Sequence, residues 1–499
     1  MKLKSTKNFK VNLIFNSIYQ IFMLIVPFIT APYVSRVLLE SQVGAYSYST
    51  SIVYYFTSFA AFGFLDYGTL VISKNRDDKA KYSKLFYELL ICKFILTFLS
   101  LLVYAVIVGF NGLYSTSYPE NTQIIYVILG LNILSTAFDV TFLFQGLERF
   151  VSLCLRNAFI KLINIILIFT LVRTSADFQN YVIIMVSCTL LSTLITFANI
   201  PFLCKKPSFK DIHILQHFKG SLAFFIPLFC LAVMSYFPKT ILGIFGKDSV
   251  QSGYFEQADR LIGIINSAIS SLNSILLSRM AYLYATKNEE EIKRKSVQTL
   301  NLYLLLAIPA ILGLISINRY FTTGFFGDKY ENCIPLVYIM APRILFTPFY
   351  AIIGAIYFIP RGEILKRNIF YISGTAFNIL VCSLLSYFFQ TYGAAAGYMI
   401  AEGFMAILFY HFSRKNFDYK ALLTPFSKIF DAALIMFVVL YFVSSPIANH
   451  FSGLVTSFIM IAIGGIVYGL CLILFKEKMS YSIFMKYLKK AQSILKRSH

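Results

Sequence analysis

The chain has 499 residues, 58% of them hydrophobic and 13% charged, with a formal net charge of +21 and a mean hydropathy of +0.70. Soluble chains average about half apolar and a quarter charged, so this composition excludes a soluble globular fold. The net charge suggests nucleic acid, but the basic residues fall between apolar runs in a pattern that topology explains, so no nucleic-acid partner is expected.

Apolar runs long enough to cross about 30 Å of hydrocarbon recur along the chain. They predict fourteen spans, near 11–35, 44–68, 85–109, 122–144, 158–172, 180–203, 219–238, 250–277, 297–317, 333–358, 369–389, 393–412, 429–446 and 453–475. An even number puts both termini and alternate loops on one side. That side holds 34 of the 44 Lys and Arg residues, the other holds 6, and Lys93, Lys161, Arg260 and Arg343 fall within spans. The bias predicts cytoplasmic termini. The fold class expected is an all-α polytopic membrane protein.

In chain order, "MKLKSTKNFK" opens an apolar run too long for a signal peptide, so an uncleaved first helix is expected, with Asn12, Asn16, Gln20 and Pro27 along it. Arg36 follows near its outer end. In the second span Ser47, Ser51, Tyr54 and Ser58 share one helical face. Lys93 and Lys161 lie nearer the cytoplasmic side, where they can snorkel. "HILQH" puts His213 and His217 one turn apart; with no nearby glutamate or third ligand they read as two solvated loop histidines and not a metal site. "LGIFGKD" (Leu242–Asp248) lacks the spacing and the Ser/Thr of a phosphate loop. The eighth span carries Glu256, Arg260, Gly263, Ser267, Ser271, Ser274 and Ser278 on one face. The tenth carries Arg343, Thr347, Tyr350, Gly354 and Tyr357 after Pro342. Eight scattered cysteines read as small apolar residues. Tryptophan is absent, so 34 tyrosines supply the interfacial belt. In the tail, Ile483, Phe484, Tyr487, Leu488, Ala491, Ile494 and Leu495 make an apolar helical face opposite Lys486, Lys489, Lys490, Lys496 and Arg497, a pattern that seeks anionic membrane lipids.

No catalytic constellation occurs, so the chain reads as a non-enzyme without a cofactor. Arg260 and Arg343 each stand about ten residues into a span, near mid-bilayer. A charge there costs at least ~2.5–3.5 kcal/mol unless paired or hydrated. Asp259 and Glu402 supply partners for structural ion pairs; alternatively the cations line a hydrated cavity with Ser47, Ser51, Tyr54, Ser267 and Tyr350 on its walls. The planar arginine fork suits phosphate oxygens, which implies an anionic substrate, and hydroxyl-lined walls suit sugars.

The stretches "VGAYSYSTSI" (Val43–Ile52) and "QSGYFEQADRL" (Gln251–Leu261) align Gly44 with Gly253, Tyr46 with Phe255 and Ile52 with Leu261. Each opens the second span of a six-span set, which makes the two sets parallel repeats. These residues, with "YVSRVLLESQVGAYSYSTSIVYYF", "GFLDYGTLVISKNRDD", "FDVTFLFQGLERF", "LRNAFIKL" and "APRILFTPFYAIIG", resemble the Wzx-like polysaccharide-unit (O-antigen or capsule-type) flippases of the multidrug/oligosaccharidyl-lipid/polysaccharide exporter superfamily. Two departures stand out: no glycine follows soon after Arg36 in "LLES", and Lys239 in "PKTILG" stands where the family often has Asp.

The resemblance implies two six-helix lobes, 1–217 and 218–412, around a central cavity, an additional hairpin at 413–475 and a basic tail at 476–499. It implies translocation of an undecaprenyl-diphosphate-linked oligosaccharide from the inner to the outer leaflet of the bacterial cytoplasmic membrane by alternating access. Arg343, Arg260 and Arg36 then contact the diphosphate or acidic sugars, and Asp259, Glu402 and Lys93 serve in pairing or coupling to an ion gradient or the membrane potential. A polysaccharide polymerase and glycosyltransferases are the implied protein partners. A lipid II flippase, a drug/cation antiporter and a non-transporting polymerase scaffold are the competing readings.

Overall fold

The computed structural model describes residues 3–109, 123–205, 212–245, 248–270, 280, 283–284, 289–415, 417–482 and 485–486, with side chains from residue 18 onward except 21 and 24. Among them every regular element is a helix. In a hydrocarbon medium this follows from the backbone, whose polar groups must be satisfied within the spanning segment itself. The longer helices run Leu3–Val37, Glu40–Ala61, Phe64–Lys74, Lys79–Gly109, Gln123–Phe138, Phe150–Leu171, Phe178–Ala198, Leu215–Phe245, Ser249–Ser270, Glu289–Phe326, Cys333–Met340, Arg343–Ile353, Ile364–Ser413, Leu423–Ala448 and Gly453–Leu474, joined among others by the short helical segments Thr141–Gly146, Ile200–Leu203 and Gly354–Phe358.

Twelve helical stretches among the described residues are long and apolar enough to cross a membrane. Two physical reasons separate that number from the fourteen predicted spans. The Ile364–Ser413 helix holds two of them, divided where Gln390 leaves helical geometry at φ 49° and ψ −123°, within the predicted 390–392 connection. The eighth, Ser249–Ser270, is helical, but Glu256, Asp259 and Arg260 make it too charged to count by composition.

The chain divides into two compact units, Met1–Glu256 with Tyr371–Tyr398 and Gln257–Phe370 with Met399–His499. In the first, one core gathers around Tyr126, Leu129, Ile133 and Val182 and another around Phe64, Phe86, Leu89 and Phe142. Buried hydroxyls in these cores bond to backbone: Tyr104 Oη donates to the Tyr126 carbonyl at 2.7 Å, and Ser49 Oγ to that of Ala45 at 2.9 Å. The Tyr371–Tyr398 segment is held to this unit by Thr375 Oγ1 donating to the Cys230 carbonyl (3.2 Å) and Thr391 Oγ1 to Gln251 Oε1 (2.7 Å).

The two aligned glycines meet in the first unit. A Cβ on Gly44 would stand 1.7 Å from the Ser249 carbonyl oxygen and 2.8 Å from the Gly253 nitrogen; one on Gly253 would stand 2.4 Å from the Glu40 carbonyl oxygen. Glycine at both positions lets the two backbones touch.

In the second unit the Leu423–Ala448 and Gly453–Leu474 helices pack against Glu289–Phe326, around Ile308, Ile429, Ala432, Ala433 and Leu472. The chain just past the last span is tied back: the buried Glu477 accepts from Asn301 Nδ2 at 3.0 Å and from the Ser480 N–H at 2.7 Å. Large apolar side chains such as Phe98, Leu384 and Phe442 stay exposed, as lipid-facing positions must. All eight cysteines are free, and all but Cys471 are buried, in keeping with their reading as apolar filler. Ser271, Ser274, Ser278, the side chains of Asn12 and Asn16, and the apolar face of the tail from Ile483 to Leu495 lie outside the described residues.

Candidate functional site

Among the described residues, charged side chains cluster inside the membrane helices of both units. In the first unit the helix of the seventh predicted span, which begins at Leu215, does not stop at the predicted 238. It runs to Phe245, and Lys239 lies within it, 8% exposed. The reason is a partner: Lys239 Nζ is 2.8 Å from Glu256 Oε2, so a charge expected to end the apolar run is neutralised inside it. Ser47 Oγ donates to the same carboxylate oxygen at 2.8 Å. The ammonium also stands 5.3 Å from the centre of the Tyr236 ring, which stacks on Tyr54 at 4.0 Å. One turn along, Thr240 Oγ1 bonds with Ser51 Oγ (2.9 Å) and Tyr55 Oη (2.7 Å).

In the second unit Arg343 begins a helix directly after Pro342, whose fixed φ suits the entry position. Its guanidinium spans two carboxylates: Nη1 donates to Asp259 Oδ1 at 2.7 Å and Nη2 to Glu402 Oε1 at 3.3 Å. Thr347 Oγ1, one turn on, donates to Glu402 Oε2. Arg343 and Glu402 are almost fully buried, while Asp259 keeps 12% side-chain exposure. A fork geometry of this kind holds a carboxylate or phosphate oxygen on each prong.

A family model described as "Polysaccharide biosynthesis protein" matches residues 9–280, more than half of the chain. The chain belongs to the polysaccharide biosynthesis protein family. It is 22% identical over 385 residues to a putative O-antigen transporter of Shigella dysenteriae, covering 75% of this chain and 92% of the relative. A putative O-antigen transporter of Escherichia coli K12 is 22% identical over 416 residues, covering 81% and 96%. Among solved structures, "Lipid II flippase MurJ, inward closed conformation" superposes with TM-score 0.69 at 18% identity, covering 93% of this chain and 98% of that one. An inward-facing multidrug resistance MATE family transporter of the MOP superfamily superposes with TM-score 0.62 at 15% identity, covering 80% and 94%. The fold is that of the exporter superfamily, and the resemblance to polysaccharide-unit flippases is borne out. The chain is a multi-pass membrane protein.

In this family member the remaining candidate residues are placed as follows. Arg36 is exposed and Arg260 half-buried. Lys93 is buried; it donates to the Asp139 carbonyl and lies 5.7 Å from the Phe142 ring centre. Ser51 is fully enclosed and Tyr350 is 2% exposed, its ring against Phe409. Tyr54 and Ser267 are exposed, and Ser267 Oγ bonds back to the Gly263 carbonyl at 2.8 Å.

One sequence reading is corrected outright. His217 is not a solvated loop residue but 1% exposed. Its Nε2 is 2.8 Å from Glu88 Oε2 and its Nδ1 3.2 Å from Tyr67 Oη, while Glu88 Oε1 accepts the His213 N–H at 3.1 Å. The glutamate that "HILQH" lacked locally comes from 129 residues upstream. The Lys239–Glu256 pair was also missed. Its one local signal was the lysine's position after an otherwise apolar run.

Proposed function

We propose that this protein carries a lipid-linked oligosaccharide, built on undecaprenyl diphosphate, from the inner to the outer leaflet of the bacterial cytoplasmic membrane. Both termini are cytoplasmic in this reading, and the protein works by alternating access beside the polymerase and glycosyltransferases that use its product. The reading follows from family membership and from relatives named as O-antigen transporters that align over nearly their whole length. One observation carries the chemistry: charge-bearing residues lie inside helices whose neighbours are apolar, where an ionised group costs several kcal/mol in lipid and suits a charged head group. Arg260 and Arg36, which keep exposure, are the cations assigned to the diphosphate or acidic sugars, each within its own unit. Arg343 is assigned to hold Asp259 and Glu402, because both terminal nitrogens of its fork are already on carboxylates.

Depletion of the protein followed by mass spectrometry of membrane lipids tests this. Accumulation of an undecaprenyl-diphosphate oligosaccharide is expected, and accumulation of lipid II instead would assign the peptidoglycan precursor. No change in either lipid would overturn the reading.

A further inference from the structure

The first unit's cluster contains a feature that substrate carriage as stated above does not use. One carboxylate oxygen, Glu256 Oε2, serves both the Lys239 ammonium and the Ser47 hydroxyl at 2.8 Å. Lys239 lies about 9 Å along the helix from its end at Phe245, and the pair keeps 10% and 18% side-chain exposure. The pair is therefore not wholly enclosed by protein.

A phosphate oxygen presents an ammonium with the same charge and the same hydrogen-bond length as a carboxylate oxygen. It cannot simply be added. With Glu256 ionised, two anions would share one ammonium at close range in a low-dielectric setting, where like charges repel strongly. Protonation of Glu256 removes that repulsion, and the surroundings already accommodate the acid. A serine hydroxyl both donates and accepts, so Ser47, now a donor to Oε2, can accept the new O–H. Lys239 keeps the face of Tyr236 beneath it, which favours the charged ammonium after its carboxylate partner is gone. Among the described residues, the titratable groups placed at this cluster are Lys239 on Glu256 itself, Tyr236 beneath Lys239 with Tyr54 stacked on it, and Tyr55 on the neighbouring Thr240, with Asp259 and Arg260 further along the helix of Glu256.

We propose that Lys239 is an anion-binding group held in reserve by Glu256, and that a diphosphate oxygen replaces the carboxylate as Glu256 takes up one proton. No covalent bond changes. One proton enters from solvent for each anion bound, and the same proton leaves when the anion does. The assignment of a diphosphate rests on the function proposed above; the exchange itself does not depend on transport.

The test uses the purified full-length chain in detergent. Its probes are inorganic pyrophosphate and farnesyl diphosphate, titrated calorimetrically between about pH 6 and 8 in buffers of different ionisation enthalpy. Wild-type protein should bind with one proton taken up, its affinity falling by up to about tenfold per pH unit as pH rises. Glu256→Gln, with the carboxylate permanently neutral, should bind more tightly, taking up one proton fewer than wild type and keeping only the pH dependence that the probes' own terminal phosphates contribute. Lys239→Gln alone strands a carboxylate and invites misfolding, so the neutral Lys239→Gln/Glu256→Gln pair replaces it and should lose the binding. Binding of farnesyl diphosphate alone assigns the site to lipid-linked anions; binding of both probes makes the phosphates the determinant, and either supports the exchange. Undiminished proton uptake in Glu256→Gln, wild-type binding by the double variant, or no binding of either probe by wild type overturns it. If it fails while depletion still accumulates the lipid-linked oligosaccharide, the exchange is wrong and the transport reading stands.

Discussion

Gly44 and Gly253, the matching glycines of the two repeats, touch one another: a Cβ on either would fall inside the partner helix's backbone. Elsewhere in a helix, Gly→Ala gains about 0.5–1 kcal/mol from propensity. Here the added methyl meets carbonyl oxygen that cannot rotate away, so overpacking of about 1–3 kcal/mol should win. Gly44→Ala and Gly253→Ala should lower the melting temperature of the detergent-solubilised protein. Gly263→Ala, where nothing stands within 4 Å, should be neutral or slightly stabilising. Equal melting for all three would mean the helices are not in contact.

Arg343 balances two carboxylates, so removing it should hurt more than removing either one. Arg343→Gln leaves Asp259 and Glu402 without their shared cation, at about 3–5 kcal/mol. Glu402→Gln and Asp259→Asn each leave the arginine one charged partner and should cost less. Adding Glu402→Gln to Arg343→Gln should recover much of the lost abundance, as measured by fluorescence size-exclusion of tagged protein. If the double variant is as unstable as Arg343→Gln, the carboxylates do not depend on this arginine.

The Tyr67–His217–Glu88 chain joins three helices with buried polar atoms. Tyr67→Phe removes one hydrogen bond and should cost about 1 kcal/mol. Glu88→Ala leaves the His217 ring without its carboxylate and should cost about 1–3 kcal/mol. Chemical or thermal denaturation reads both; a Glu88→Ala protein as stable as wild type would sink the account.

Single-cysteine labelling in a background lacking the eight native cysteines tests orientation. Probes placed in 446–452 should react with impermeant reagents from outside intact cells. Probes in 287–295 should react only after the inner face is opened. One firmly reversed loop breaks the fourteen-span topology.

Much of the architecture was legible because span length and loop charge are local properties. The break at Gln390 was visible as a short gap between two apolar runs, although no proline or glycine occupies it. The cluster chemistry was less legible. Periodicity shows which residues share a helix face, but not which face of another helix they meet. Ser47 and Glu256 are 209 positions apart, and each looked like a member of its own stripe. Lys239 looked like the start of a loop because hydropathy scores a lysine as charged even where a partner cancels it. His217 misled for the same reason: its glutamate and tyrosine come from other helices.

The stacked ring of Tyr54 on Tyr236 has a practical consequence. Because the chain contains no tryptophan, Tyr54→Trp would give it a single indole, partly exposed and resting on the ring that carries Lys239. Its emission would report on that lysine's surroundings against a dark background. An optical signal of this kind would make events at the cluster visible in real time, in membranes, without labels.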